Sequence, residues 1–322
     1  MVDFRYHLVS IIAVFLALAV GIVLGTTTIN GPVLDTLNRR MDSLSTDRDT
    51  LRSDNDVLTK RLADEDNYAQ AVLPFAVAGR LAGERIVMVS THDAPAETRN
   101  GTAQVLMTAG ATIVGRVQLT SKFTDPEHSA ALQRVVEQVV GGTPSGAGTA
   151  PQHAANQLAT ALTTRTRDAS TGLNPETDRV VRLFLDADLV TLEGDSPARS
   201  SVVVFVAALP EERDVEGRDE RVRGVNEVVA AISRQAAAVV TISPTGGAAE
   251  GGVLSSLRRD DNLTTDVSSV DRADTASGQT AVVFALAERL RAAASAGDRP
   301  AAGHYGTGPG ADKPLPDAAD LP

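Results

Sequence analysis

Apolar and polar residues follow three successive patterns along the chain, and each pattern predicts a different kind of structure. The segment from Leu8 to Leu34 contains no charged residue, and its densest apolar run extends from Ile11 to Leu24. A helix of about 20 residues crosses the roughly 30 Å hydrocarbon core of a bilayer. The pattern therefore predicts a transmembrane helix over residues 8–28, preceded by a cytoplasmic stub of residues 1–7.

The same apolar segment also fits two alternatives, a cleaved signal peptide and a buried helix of a soluble protein. Ala17-Leu18-Ala19 offers a small-x-small cleavage site, but it lies inside the apolar run and Gly21-Ile22-Val23-Leu24 follows it, so a signal anchor is favoured. Arg5 on the short amino-terminal flank favours an amino terminus inside and a carboxyl-terminal domain outside the cytoplasm, although Arg39 and Arg40 oppose that orientation.

A seven-residue repeat follows the apolar segment, between a helix start at Gly31-Pro32 and an end at Leu73-Pro74. It places one set of residues at the a and d positions of a heptad: Leu34, Leu37, Met41, Leu44, Arg48, Leu51, Asn55, Leu58 and Leu62. Leucine at every d position with one asparagine at an a position favours a parallel two-stranded coiled coil. Residues 33–73 are therefore predicted to form a dimeric coiled-coil stalk, the alternative being an amphipathic helix packed on the protein's own domain.

From Gly83 onward, short apolar strands alternate with amphipathic helices, and this alternation is typical of an α/β fold. Arg85–Ser90 and Ser201–Ala208 are apolar runs bounded by turn residues, as expected for buried strands of a parallel sheet. A helix is predicted over Pro175–Leu192 and a short strand within Asp260–Asp271. Residues 83–296 are therefore predicted to form a doubly wound, mostly parallel sheet, Rossmann-like but without a nucleotide motif.

Two further segments are predicted to be irregular. Pro210–Arg221 is rich in charged residues and predicts a loop. Residues 297–322 are rich in Gly and Pro, which predicts a flexible carboxyl-terminal tail.

Composition narrows the function classes. The net charge of −11 and an aromatic content of 3 % argue against a nucleic-acid partner. A protein that binds nucleic acid usually presents positive charge to the phosphates and aromatic side chains on which bases stack. The chain has no cysteine, which excludes disulfides, thiolate metal sites and cysteine nucleophiles.

The carboxyl ends of parallel strands are where such folds bind ligands, and two loops are predicted to lie there: Ser90–Asp93 and Ser243–Gly247. His92 beside Asp93 is a candidate for metal binding or for acid/base chemistry. No nucleophile elbow, dinucleotide fingerprint or phosphate-binding loop accompanies the pair, so the chain is not expected to be an enzyme and no cofactor is predicted. The five histidines and four methionines are scattered, and soft Cu(I) prefers clustered sulfur ligands.

The opening MVDFRYHLVSIIAVFLALAVGIVLGTT, the DADLVT and SPTGG segments and the terminal GHYGTG closely resemble the actinobacterial copper transporter family named for the mycobacterial copper transport protein MctB. The resemblance implies an envelope protein of copper homeostasis or efflux, with copper as a possible bound metal. It also implies an alternative, because some relatives resemble partners of a second membrane protein that controls cell-wall hydrolysis during division. We therefore expect a single-pass, homodimeric envelope protein that acts by binding; the alternative is a coiled-coil scaffold or regulator independent of copper.

Overall fold

The computed structural model describes residues 4–144, 146–166, 174–194, 197–209, 217–294 and 301–317. The chain divides into two compact units, Met1–Glu65 and Asp66–Pro322. The second unit contains the sheet and both parts of the hydrophobic core, so it carries the chemistry considered below.

The first helix, α1, is continuous from Phe4 to Val77. The expectation that Gly31-Pro32 begins a separate helix is wrong, because the backbone stays helical through both residues. A proline inside a helix costs about 3 kcal/mol, which a long helix tolerates since propagation on both sides is cooperative. The predicted end at Leu73-Pro74 is likewise early, because the helix continues to Val77 before Gly79, whose φ is 73°.

After α1, eight α-helices follow in the described residues of the second unit. Their order is α2 (Ala96–Thr108), α3 (Ser121–Thr124), α4 (Ser129–Val140), α5 (Ala150–Leu162), α6 (Pro175–Asp186), α7 (Arg218–Gln235), α8 (Val253–Leu257) and α9 (Ala276–Ala294). Local sequence fixes several of their starts. Thr149 and Gln152 form a capping box at α5, and the Asn174 side chain accepts the Thr177 N–H at α6.

Seven strands of the described residues form one sheet. They are β1 (Arg85–Ser90), β2 (Thr112–Leu119), β3 (Val190–Leu192), β4 (Val202–Val206), β5 (Ala238–Ile242), β6 (Ser268–Val270) and β7 (His304–Tyr305). The order across the sheet is β3-β2-β1-β4-β5-β6-β7, and every neighbouring pair is parallel except β2 with β3. The predicted mixed α/β class with a mostly parallel sheet is confirmed.

Helices cover both faces of the sheet, which explains why its central strands are largely apolar. In β4, Val203 and Phe205 pack into a core formed with helices α4 to α8. The alternate residues Val202 and Val204 pack into a second core with α2, α9 and the end of α1. Because successive side chains of a strand point to opposite faces, a strand buried on both sides favours apolar residues at nearly every position.

Two segments differ from the sequence expectation. Helix α6 ends at Asp186 and the chain then forms β3, which pairs antiparallel with β2, so the predicted helix over Pro175–Leu192 is too long. The cause is Asp188, whose φ of 55° leaves the helical region and turns the chain.

The carboxyl-terminal segment is the second difference. Residues 301–317 are not a flexible tail, because His304–Tyr305 adds the edge strand β7 to β6 and both side chains are buried. The remaining residues of the predicted tail, 297–300 and 318–322, lie outside the described residues. So do residues 210–216 of the predicted charged loop, and the rest of that loop begins helix α7.

Candidate functional site

A cavity of about 740 Å³ opens at the carboxyl edge of the sheet, beyond strands β1, β4 and β5. The chain moves outward from β1 to β3 on one side and from β4 to β7 on the other, so the strand order reverses between β1 and β4. Such a reversal leaves a crevice that open α/β sheets use for ligands. The cavity is therefore in the place where this fold class binds small molecules.

The two loops singled out from the sequence both reach this edge, but they contribute unequally. Asp93 lines the cavity and so do Pro244 to Gly247. His92 is exposed and is not among the lining residues; its carbonyl accepts a hydrogen bond from Gln118 Nε2 at 3.0 Å. The structure thus places His92 and Asp93 side by side in the chain without bringing both of them to one site.

The turn after β5 has a fixed conformation. The Asp274 carboxylate accepts the Thr245 N–H at 2.8 Å and the Thr245 hydroxyl at 2.9 Å. Gly246 adopts a φ of 92°, a conformation that favours glycine. Asp274 follows β6 and lines the cavity as well, so side chains from loops after four strands meet there.

Negative charge dominates the lining of the cavity. Asp93, Glu97 and Glu250 are exposed carboxylates that form no hydrogen bond or ion pair within the part of the chain that the structure describes. Among the described lining residues the basic side chain is Arg218, whose Nε donates to the Gly251 carbonyl at 3.0 Å. Sequence reasoning missed Glu250 and Arg218, because nothing in the linear sequence indicates that they meet.

The described residues do not assemble a metal site. Across 4–144, 146–166, 174–194, 197–209, 217–294 and 301–317, no group of three or more His, Cys, Asp or Glu side chains could hold one ion. Met88 is buried in β1, whereas Met41 and Met107 are exposed on separate helices. Within the described part of the chain, neither the His and carboxylate side chains nor the methionines form a cluster of metal ligands.

A second polar cluster lies at the end of β6 and is buried. The Arg258 and Asp271 side chains are each only 2 % exposed and form an ion pair at 3.0 Å. Asp271 also accepts the N–H groups of Thr307 and Gly308, at 3.0 and 3.1 Å. Arg258 donates to the Tyr305 carbonyl as well, so the ion pair fastens the carboxyl-terminal segment to the sheet.

His304 of β7 belongs to the same cluster. Its Nδ1 lies 2.9 Å from the Ser269 hydroxyl, and that hydroxyl also accepts from Arg258 Nε at 2.9 Å. Burial lowers the pKa of His304; the Arg258 charge lowers it further, whereas the Asp312 carboxylate and the Thr264 carbonyl raise it. The neutral imidazole fits this environment, because it lets Ser269 donate its proton to Nδ1.

The pKa of His304 predicts a pH dependence of stability. Below about pH 6.5, the ordinary pKa of histidine, the unfolded chain takes up a proton that folded His304 resists. We expect the free energy of unfolding to fall as the pH drops from about 6.5 toward the lowered pKa of folded His304, as measured by chemical unfolding of the full chain. His304→Asn should remove this component, whereas His92→Asn, at an exposed histidine, should leave it unchanged; equal pH profiles for the two variants would contradict the prediction.

The predicted coiled-coil positions lie on helix α1 in the first unit. Among those whose side chains the structure describes, the apolar residues are largely exposed: Leu37, Met41, Leu44, Leu51, Leu58 and Leu62. Arg48 pairs with the neighbouring Asp49 at 2.8 Å, and Asn55 accepts a hydrogen bond from Thr59. This row, hereafter the heptad seam, is an apolar surface on one helix.

One segment of the described chain is long and apolar enough to cross a membrane, Arg5–Gly25 at the start of α1. Its large apolar side chains are all exposed. It begins three residues before the predicted span and overlaps it over most of its length.

Comparison with known proteins places these features in a family context. Residues 1–316 match the family model described as "Copper transport outer membrane protein, MctB". Proteins named "Copper transporter MctB" from Mycobacterium bovis and Mycobacterium tuberculosis are 26 % identical over 321 residues, covering 97 % of this chain and 98 % of theirs. The namesake from Mycobacterium leprae is 24 % identical over 324 residues with the same coverage.

Proposed function

This chain belongs to the MctB family of copper transport outer membrane proteins, and we propose that it serves copper homeostasis as a single-pass, membrane-anchored envelope protein that acts by binding rather than by catalysis. The observation that carries the proposal is the exposed apolar span Arg5–Gly25. One helix buries its own backbone polar groups but cannot enclose an aqueous path, so the chain contributes an anchor and a binding domain rather than a pore.

The orientation follows from the short amino-terminal flank. Arg5 lies at the start of the span, and positive charge near a membrane end favours the cytoplasmic side. This orientation places the proposed anchor in the inner membrane, although the family description names the outer one. The second unit would then lie outside the cytoplasm. The lack of cysteine is compatible with that compartment.

Self-association through the heptad seam supports the same function. The apolar residues of the seam are exposed on α1, and a row of this kind is expected to bury itself against a second helix. A second copy of the chain presents the same row in register. We therefore propose a parallel homodimer.

A second candidate function is a scaffold for other envelope proteins that does not depend on copper. Two observations favour it: the exposed heptad seam, and the absence of a three-ligand metal group among the described residues. In that case the partner would be a second membrane protein with a matching helix.

A test in cells separates the two functions. Cells that lack this chain should retain more copper than the parent, and the full chain should restore the parental level. A variant with two lysines in the middle of the span, Phe15→Lys/Leu18→Lys, should fail to restore it, because charged residues in the hydrocarbon core cost about 3 kcal/mol each. Cell-associated copper is the measured quantity. The matched control places two lysines at the same spacing on the exposed surface of α1 away from the heptad seam, Ser43→Lys/Thr46→Lys.

An unchanged copper level together with a division defect would contradict the copper role and favour the scaffold. Titration of the full chain in detergent with copper tests direct binding separately. Stoichiometric binding that is lost in His92→Ala and kept in His153→Ala would assign copper to the His92-Asp93 loop. No binding at micromolar copper would restrict this chain to an indirect role.

A further inference from the structure

We propose that the cavity at the carboxyl edge of the sheet binds an aliphatic ligand carrying primary ammonium groups, either a free polyamine or lysine side chains of a peptide. The inference rests on the proposed binding role of the second unit and adds the ligand class. It is carried by the charge of the lining, the arrangement of the carboxylates and the apolar floor.

The balance of charge favours a cation. The amino ends of α2 and α7 begin at the cavity, and each contributes a positive partial charge of about half an elementary charge. Together with the Arg218 guanidinium, these two helix ends bring the positive charge at the cavity to about two elementary charges. The carboxylates of Asp93, Glu97, Glu250 and Asp274 supply four negative charges, so the cavity is negative even with Asp274 engaged by Thr245.

The carboxylates come from separate elements, which favours an extended ligand over a single ion. Asp93 and Glu97 belong to the loop after β1 and to α2, whereas Glu250 belongs to the loop after β5. Among the described residues they form no group that could hold one metal ion. A ligand that carries two or more ammonium groups on a chain can reach carboxylates from both loops.

The floor of the cavity suits the aliphatic part of such a ligand. It is formed by Ala207, Ala208 and Leu209 at the end of β4 and by Val253 at the start of α8. A methylene stem packs against such a surface while its charged ends stay with the carboxylates. A volume of about 740 Å³ is in the range of organic ligand sites, roughly 300 to 1,000 Å³.

Calorimetric titration of the full chain in neutral detergent at low ionic strength tests the proposal. One arm uses spermidine and the other a Lys-Ala-Lys peptide with blocked ends, so the arms distinguish the two sources of the ammonium group. We expect saturable binding in at least one arm, weakening as sodium chloride is added. Asp93→Asn and Glu250→Gln should each raise the dissociation constant about threefold, and the double variant about tenfold.

Asp261→Asn is the matched control, because it removes an equal charge from an exposed turn outside the cavity lining. No binding of either probe at millimolar concentration would overturn the proposal. So would equal weakening by Asp261→Asn, or tighter binding of inorganic phosphate at the same cavity. Loss of ammonium binding with an intact copper phenotype would refute this inference alone, whereas the reverse result would refute the copper role alone.

Discussion

Replacing Arg258 with alanine is expected to lower the free energy of unfolding of the second unit by about 3–5 kcal/mol. The substitution leaves the Asp271 carboxylate buried without its cationic partner. It also removes the donors to Ser269 and to the carbonyls of Tyr305 and Pro309. The loss is large because burying an unpaired charge costs its full desolvation free energy, whereas attraction within the intact ion pair offsets that cost.

Chemical unfolding of the full chain measures this effect, and Arg223→Ala supplies the control. Arg223 pairs with Glu220 at the surface of α7, where its side chain is 68 % exposed, and an exposed pair contributes at most about 1 kcal/mol. We also expect faster proteolysis within residues 301–317 in Arg258→Ala, since that segment is fastened by the ion pair. Similar losses of stability in the two variants would show that burial of the pair is not what matters.

Replacing Leu44 with glutamate is expected to convert the proposed dimer into monomers. Leu44 occupies a d position of the heptad seam, and a parallel dimer would bury it together with its copy. Loss of two buried leucines at about 2 kcal/mol each, before any repulsion between the glutamates, corresponds to a dissociation constant raised about a thousandfold. Sedimentation of the full chain in detergent measures the mass of the assembly.

Thr46→Glu is the matched control, because Thr46 lies on the opposite side of the same helix turn and should leave the dimer intact. Asn55→Leu tests the polar layer of the heptad seam: it should raise stability and broaden the range of oligomeric states. A wild-type chain that sediments as a monomer at high concentration would remove the basis of the dimer. A monomeric chain would also bear on function, since the heptad seam would then be available to bind another protein.

The sequence predicted most elements of the second unit because burial leaves a local signature. Residues 86–89 and 202–206 are apolar at every position, and only a strand covered on both faces needs that composition. The starts of α5 and α6 also have local causes, since the Thr149 and Asn174 side chains each accept an N–H group three residues away. The predicted end of α6 was wrong because a single residue, Asp188, adopts a positive φ and turns the chain. A turn that depends on one residue leaves no periodic pattern in the sequence.

The candidate site was predicted only in part. Asp93 and the turn from Pro244 to Gly247 were expected at the carboxyl edge because parallel strands end on the same side of a sheet. Glu250, Arg218 and Asp274 were not, since their proximity depends on how three separate loops fold over that edge. The carboxyl-terminal strand was missed for a related reason: its stability comes from Arg258 and Asp271, which are distant in the chain, rather than from its own Gly-rich composition.

By itself, then, the sequence determined an apolar span, a heptad repeat and an alternating α/β domain, because each rests on a periodicity that neighbouring residues impose. Only the tertiary structure decided the order of the strands, the acidic cavity beyond β1, β4 and β5, and the fastening of residues 301–317 by a buried ion pair. These features depend on contacts between residues far apart in the chain. The free energy of such contacts comes from the burial of apolar surface and from ion pairs and hydrogen bonds between distant residues, and these cannot be deduced from a local sequence pattern.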